Sequence, residues 1–366
     1  MLLMNCGDPL RGRCMPAARI KIIYITQILI ATLLLLAMLS MASSIFAPVA
    51  FALFIIALVW PTQCRLQAML PRYLALIISF LLVVLAIVAF GGLIAWAFGH
   101  VGRWIIADAA RFQQLYDQVR LWLEEHGVAV GVLWSENFGV GWVLHTVQAV
   151  SGRLNSTFSF WLIALVYVLL GLMEMDDFGR RIEALRNRTA SALLLRGSQQ
   201  TAMKIRRYMM IRTVMSVVTG LLVWIFTRAV GLSLAEEWGF IAFALNYIPF
   251  LGPLLATLFP TLFALIQFGT VETVLIVFTG LNLIQFVVSS YIEPRASGSA
   301  LSMSPVMVLF SVFLWGYLWG IFGAFIGVPI TIALLTFCNQ HPSSKWLSEL
   351  FGLEMAADQV ASTPSG

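Results

Sequence analysis

Seven apolar runs in this chain contain no Asp, Glu, Lys or Arg: residues 22–64, 73–102, 154–173, 213–227, 238–271, 273–292 and 296–344. A helix needs about 20 apolar residues to span the ~30 Å hydrocarbon core of a bilayer. Within lipid, only a helix satisfies its backbone hydrogen bonds inside one segment. The pattern therefore predicts an all-α polytopic membrane protein with about eight hydrophobic segments. The short alternating segments of a membrane β-barrel are not found. The first run is too long for one helix, and Ser43-Ser44 with Pro48 just beyond mark a stop and a restart. This predicts helices over 20–40 and 45–60, followed by others over 73–98 and 158–173. The 15-residue run 213–227 is short, but Arg212 and Arg228 flank it and can extend their stems to the two interfaces. A cleaved signal peptide competes with the first helix, because Ser40-Met41-Ala42 has a small-x-small form. The length of that apolar stretch and the spans behind it favour a retained helix.

Composition sharpens this picture. Hydrophobic residues make up 60% of the chain and charged ones 11%, against about 45–50% and 25% in soluble domains. Too little polar surface is available to clothe a water-facing globule, which excludes a soluble enzyme. The charges also lie asymmetrically. The N-terminal segment to Lys21 carries four basic residues, 61–72 adds Arg65 and Arg72, and 174–212 holds nine basic residues against four acids. All three fall on one side if each early helix crosses once, and the excess of Lys and Arg makes that side cytoplasmic. The expected organisation is a cytoplasmic segment 1–19, helices over 20–98, an extracytoplasmic amphipathic segment 99–157, a membrane region 158–338 with a basic loop 174–207, and a tail 339–366. The N-terminus is therefore expected on the inner side of the membrane. The net charge of +5 then records topology and contact with anionic lipid. A nucleic-acid partner is not expected, since no aromatic platform accompanies the arginines. Phe178, Ile182 and Leu185 beside Arg181, Arg186 and Arg188 suggest an interfacial amphipathic helix in that loop.

In the outer segment Ile105, Phe112, Leu115, Val119 and Trp122 form an amphipathic stripe. It suits packing on its own membrane domain, lying along the outer interface, or pairing with a copy in a homo-oligomer. Chemistry of the enzymatic kind is absent. Cys6, Cys14, Cys64 and Cys338 have no CxxC spacing, and His100, His126, His145 and His341 lack the i, i+4 spacing of a zinc helix. No nucleotide-binding fingerprint or nucleophile elbow occurs. No cofactor, metal or catalytic residue is expected, and the partners expected are the lipid bilayer and a small-molecule or ion substrate.

The C-terminal third differs from the anchoring helices before it. Run 238–271 contains Asn246-Tyr247-Ile248-Pro249-Phe250-Leu251-Gly252-Pro253. Two prolines remove backbone donors and Gly252 weakens the helix between them. At 34 residues the run is long for one span and short for two, so a broken helix and a re-entrant hairpin both fit. Run 296–344 repeats the theme, with Pro305 and Pro329 enclosing Gly316, Gly320, Gly323 and Gly327. These glycines form two GxxxG pairs that suit close helix packing. Two Gly/Pro-interrupted segments bracketing an intact helix also point to a transporter's binding site. On that helix Thr279, Asn282, Gln285 and Ser289 share an arc of about 120°. They are expected to face the breaks as a substrate pathway with Asn246, Tyr247, Pro249, Gly252 and Pro253, or else to join helices as polar glue. Glu293, beside Pro294 and Arg295, is the ionisable candidate for coupling, with a cap or local ion pair as the plainer reading.

These blocks also carry a resemblance. Asn246 to Pro253 resembles the N-x-I-P-x-x-G-P signature of the autoinducer-2 exporter family, also described as PerM-like permeases. Glu293-Pro294-Arg295, Gly298, Leu301 to Pro305, and Gly320 through Pro329 resemble the blocks that follow it, over about residues 20–338. The resemblance implies an inner-membrane permease that exports a small polar solute, of which an autoinducer-2-like signal is one example. Cation/proton antiport is the alternative within transport, and a non-transporting scaffold the alternative outside it. Val288-Ser289-Ser290 and Ser304 depart from the pattern by lacking ionisable groups.

Overall fold

The computed structural model describes residues 17–107, 154–297, 303–340 and 344–351. The N-terminal arginines at 11 and 13, the stripe from Phe112 to Trp122, the Gly298 and Leu301 positions and the tail from 352 lie outside the described residues. The helices are α1 Ala17–Met41, α2 Ser43–Gln67, α3 Arg72–Ala107, α4 Leu154–Glu183, α5 Arg188–Val230, α6 Ala235–Leu245, α7 Leu251–Phe268, α8 Val271–Val287, α9 Glu293–Ser297, α10 Pro305–Asn339 and α11 Lys345–Leu350. A π turn, Val288–Ile292, joins α8 to α9. No strand occurs among the described residues, so the all-α polytopic class holds. Residues to Phe46 form one compact unit and Ala47–Gly366 another. Within the first, α1 is apolar over its described side chains, with Leu33 and Leu34 exposed. In the second, Leu74, Ile77, Ile78, Leu81, Leu82, Leu85 and Val88 are exposed in a helical stripe along α3. A row of large apolar side chains left outside is what a lipid-facing surface requires.

α2, α3 and α4 are fastened at one end, where the Gln63 amide donates to the Leu172 carbonyl at 3.2 Å and the Arg72 guanidinium to the Met173 carbonyl at 2.7 Å. This basic end also holds Arg72 3.8 Å from Asp176.

α5 differs most from its predicted form. The expected span was 213–227 behind a basic loop, yet the helix runs 43 residues, about 64 Å at 1.5 Å per residue. α4 likewise continues to Glu183, so only 184–187 separates the two. Charge ends a membrane span but does not end a helix: Arg, Lys, Gln, Met and Ala, eleven of the seventeen residues in 196–212, are good helix formers. The boundaries are set by caps. Asn187 Oδ1 accepts from the Thr189 and Ala190 amides, both at 3.1 Å, and Gly231 closes the far end with φ +78°. Asn187→Ala should therefore lower stability by about 1 kcal/mol, measured as a fall in thermal midpoint of the purified protein. An unchanged midpoint would mean that α5 is held there by packing alone.

Both Gly/Pro-broken segments fold back on themselves. In the first, Trp238 and Phe263 have ring centroids 5.2 Å apart, and the Ser233 amide donates to Gln267 Oε1 at 2.8 Å. α6 and α7 are thus antiparallel arms of hairpin 1, turning over 246–250. An arm of 11 residues extends about 16 Å, too short to cross a bilayer core of ~30 Å. In the second, Trp315 Nε1 donates to Thr331 Oγ1 at 3.4 Å. A straight helix would hold those positions about 24 Å apart. α10 is therefore hairpin 2, and Gly320, at φ +66° and ψ −147°, is its turn. Among the described residues, seven helices are long and apolar enough to cross a membrane by length and composition, but two of these, α7 and α10, belong to hairpins.

The hairpins approach from opposite ends. α6 packs along the C-terminal half of α5, where Gly220 and Gly239 let the backbones nearly touch: a Cβ on either would come within 3.0 Å of the other's carbonyl oxygen. Hairpin 2 packs toward the N-terminal half, with Gln340 Nε2 2.6 Å from Gln200 Oε1. α8 returns antiparallel to α5, so that Glu293 meets Arg212.

Candidate functional site

The tips of the two hairpins meet beside the middle of α5. Tip 1 is built by Pro249, which ends α6, and by Phe250, held at φ +62°. Pro253 falls in the first turn of α7, where no intrahelical donor is needed. Gly252 is obligatory, since a Cβ there would run into the Leu245 carbonyl. Asn246 Nδ2 donates to Thr219 Oγ1 at 3.4 Å and the Tyr247 hydroxyl to Thr213 Oγ1 at 3.1 Å. These bonds fasten the tip to α5. Tyr247 also stacks on Phe325 of hairpin 2, centroids 5.6 Å apart, and meets Phe90 edge-on. Tip 2 sits in an aromatic cradle: Phe322 lies parallel to Phe160 at 3.9 Å, and Phe325 against Phe51 at 6.0 Å.

Between the tips is a groove of about 460 Å³, walled by Leu245, Ile248, Leu251 and Leu255 on one side and Val312, Tyr317 and Ile321 on the other. Gly252, Gly316 and Gly320 also line it. It opens outward along hairpin 2, where Tyr317 is 86% and Ile321 77% exposed. No charged side chain among the described residues lines it. The wall is apolar apart from the Tyr317 hydroxyl and backbone.

The predicted site residues divide into three groups. Gly252, Gly316 and Gly320 come together at the groove, and Asn246, Tyr247, Pro249 and Pro253 shape the tip behind it. The α8 residues do not join them. α8 and the π turn after it pack on their neighbours through Val277, Leu281 and Val288, all buried, which turns Thr279, Asn282 and Ser289 to the exposed outer face. The expected juxtaposition of that polar arc with the breaks is not formed. Asn282 instead donates back to the Phe278 carbonyl at 2.8 Å. Gln285 points inward at 7% exposure, with neither amide atom bonded among the described residues. The GxxxG pairs likewise serve a different purpose from a face for another helix: they pack the two arms of hairpin 2 together. Gly323 lies against the Trp315 carbonyl, and a Cβ on Gly327 would come 2.9 Å from that of Ser311.

Glu293 is not beside Arg295 in an ion pair. Its Oε1 is 3.1 Å from Arg212 Nη2, and the Arg212 guanidinium lies 5.6 Å from the centroid of the Tyr208 ring. Sequence reasoning missed this partner because 81 positions separate the two residues. It also missed the apolar groove walls, which carry no signal distinguishing them from lipid-facing or core residues.

An all-α chain with lipid-facing helices and two opposed hairpins defines a polytopic membrane protein of permease type. Residues 28–343 match the AI-2E transporter family, and the chain belongs to that family. It is 28% identical over 297 residues to the AI-2 transport protein TqsA of Escherichia coli strain K12, covering 80% of this chain and 84% of that protein. It is 26% identical over 341 residues to a putative transport protein of Haemophilus influenzae, covering 88% and 94%. A third relative, the putative transport protein YhhT of Escherichia coli strain K12, is 28% identical over 190 residues, or 52% of this chain and 53% of its own.

Proposed function

We propose that this permease passes a small neutral solute through the groove between the hairpin tips, outward across a bacterial inner membrane with the basic end cytoplasmic. The observation that carries the reading is the meeting of two hairpins from opposite ends around an uncharged groove of about 460 Å³. Withdrawal of one tip at a time would expose that groove to one side and then the other. An apolar wall with one hydroxyl and nearby backbone carbonyls suits an uncharged molecule, because an ion there would lose its hydration without a partner. The likeness to a protein named for AI-2 transport supports a small signal molecule of that kind as cargo. Cation/proton antiport fits less well: Glu293 is occupied by Arg212, and no carboxylate among the described residues lines the groove.

The test is efflux of labelled autoinducer-2 from proteoliposomes. Leu255→Trp, which fills the groove from the α7 side, should reduce the initial rate about tenfold or more, while Asn282→Leu on the outer face of α8 leaves it within twofold, following the general cost of an obstructed binding geometry. Equal rates for Leu255→Trp and the unmodified protein would remove the groove from the pathway.

A further inference from the structure

At the end of the molecule opposite the basic loops, the Nδ1 of His100 on α3 lies 2.7 Å from Oε1 of Glu237 on α6. The Glu237 side chain is only 8% exposed and that of His100 36%. Neither residue stood out in the sequence. Glu237 is in the first turn of α6, where the helix dipole favours a negative charge, and Trp238 beside it is buried. His100 is packed against Trp96, with ring centroids 5.0 Å apart. A largely buried carboxylate is costly to hold ionised unless a cation or donor faces it, and histidine is the side chain whose charge ordinarily changes between pH 5 and 8.

Two further features surround the pair. A cleft of about 560 Å³, lined by Arg228, Ser233, Glu236 and Glu237, opens beside it and connects the carboxylate to that end of the molecule. Hairpin 1 is also flanked by left-handed backbone at both roots: Gly231 at φ +78° and Leu234 at φ +60° before α6, and Gly269 at φ +67° after α7. Element-terminal residues of this kind absorb the dihedral changes of a hinge.

We propose that His100 and Glu237 form a proton-binding site that latches the root of hairpin 1 against α3. With the imidazole protonated, a charge-assisted bond joins the two helices. When that proton leaves, the carboxylate keeps at most a neutral donor and the root loosens on its hinge. Among the described residues, Arg228 on α5 and Glu236 on α6 line the cleft beside the pair, Arg103 follows His100 on α3 and Glu272 lies at the start of α8, while α7 contains no ionisable side chain. Arginines stay charged across this range, and Glu236 and Glu272 are carboxylates of a type that ordinarily ionises below it. The proposal therefore rests on the imidazole, the one side-chain type among these whose charge ordinarily changes between pH 5 and 8. The inference concerns the position of hairpin 1 and stands whether or not the groove carries the solute.

Hydrogen–deuterium exchange of the full chain in lipid nanodiscs tests it. In the unmodified protein, protection of peptides from 235–245, referred to peptides from 215–230 at the same pH, should fall about tenfold between pH 5.5 and 8.5, the difference between a charge-assisted and a neutral hydrogen bond. His100→Gln and Glu237→Gln, each compared with the unmodified protein at equal pH so that intrinsic exchange cancels, should exchange about tenfold faster at pH 5.5 and within twofold at pH 8.5. A pH-independent ratio in the unmodified protein overturns the proposal by itself, with no variant needed. Variants that exchange faster than the unmodified protein by the same factor at both pH values would reduce the pair to a fixed structural contact and overturn it as well.

Discussion

Gly320→Ala should destabilise the protein by about 1–3 kcal/mol, the usual cost of placing a side chain in backbone reserved for glycine, and Gly320→Val by more. Nothing lies within 4 Å of a Cβ built at this position, so the penalty is one of backbone conformation and not of crowding. At φ +66° and ψ −147° a side chain collides with its own peptide groups. The sign of the effect distinguishes two architectures. If 305–339 were a continuous helix, alanine would replace glycine in a helix interior and stabilise it by about 1 kcal/mol. Thermal midpoints of the purified variants, read beside efflux rates, decide between them. A midpoint that rises in Gly320→Ala removes hairpin 2. With hairpin 2 in place, both variants should lose most of their transport, because the turn is also a wall of the groove.

Breaking the Arg212–Glu293 pair should have the other large effect. The Arg212 side chain is 12% exposed and that of Glu293 26%, so each charge depends on the other more than on water. Removing one partner of a buried pair leaves an uncompensated charge, at a cost of about 3–5 kcal/mol. Glu293→Leu and Arg212→Leu should each lose about that much, Arg212 also giving up its contact with the Tyr208 ring. The double variant should be markedly milder than the sum, since hydrophobic replacement of a whole buried pair is often near neutral. Denaturation of the four proteins in mixed micelles forms the cycle, and strict additivity would show that the two residues do not interact. The pair joins α5 to the junction of α8 and α9, so its loss should also loosen the chain that leads into hairpin 2.

The membrane character of the chain was legible because hydrophobic run length is a local property. Helices α2, α3 and α4 lie where charge-free runs predicted them, each extended by seven or more residues at its C-terminal end. The length of α5 was not legible in that way. Arginines at 196, 206 and 207 fall in the expected loop, and only the caps at Asn187 and Gly231 set the true limits. The breaks at Pro249 and Gly320 were visible as composition, but their consequence was not. A proline shows that a helix stops, while the direction in which the chain then leaves depends on Phe250 at φ +62° and on what receives the returning arm.

The polar arc on α8 shows the same division more sharply. Thr279, Asn282, Gln285 and Ser289 share a face by spacing alone, and no pattern within one helix can say whether that face looks into a groove or away from it. Packing settled it: Val277, Leu281 and Val288 are buried, and three of the four polar residues turn outward as a result. Sequence by itself determined that this is a helical membrane protein, where its helices break, and to which family its motifs belong, since these follow from local hydrophobicity, backbone chemistry and residue order. Only the tertiary structure decided that the breaks are turns of opposed hairpins, that an apolar groove lies between their tips, and that Glu293 belongs to Arg212 and Glu237 to His100. Those are contacts between residues far apart in the chain, made by long-range packing to which local pattern carries no information.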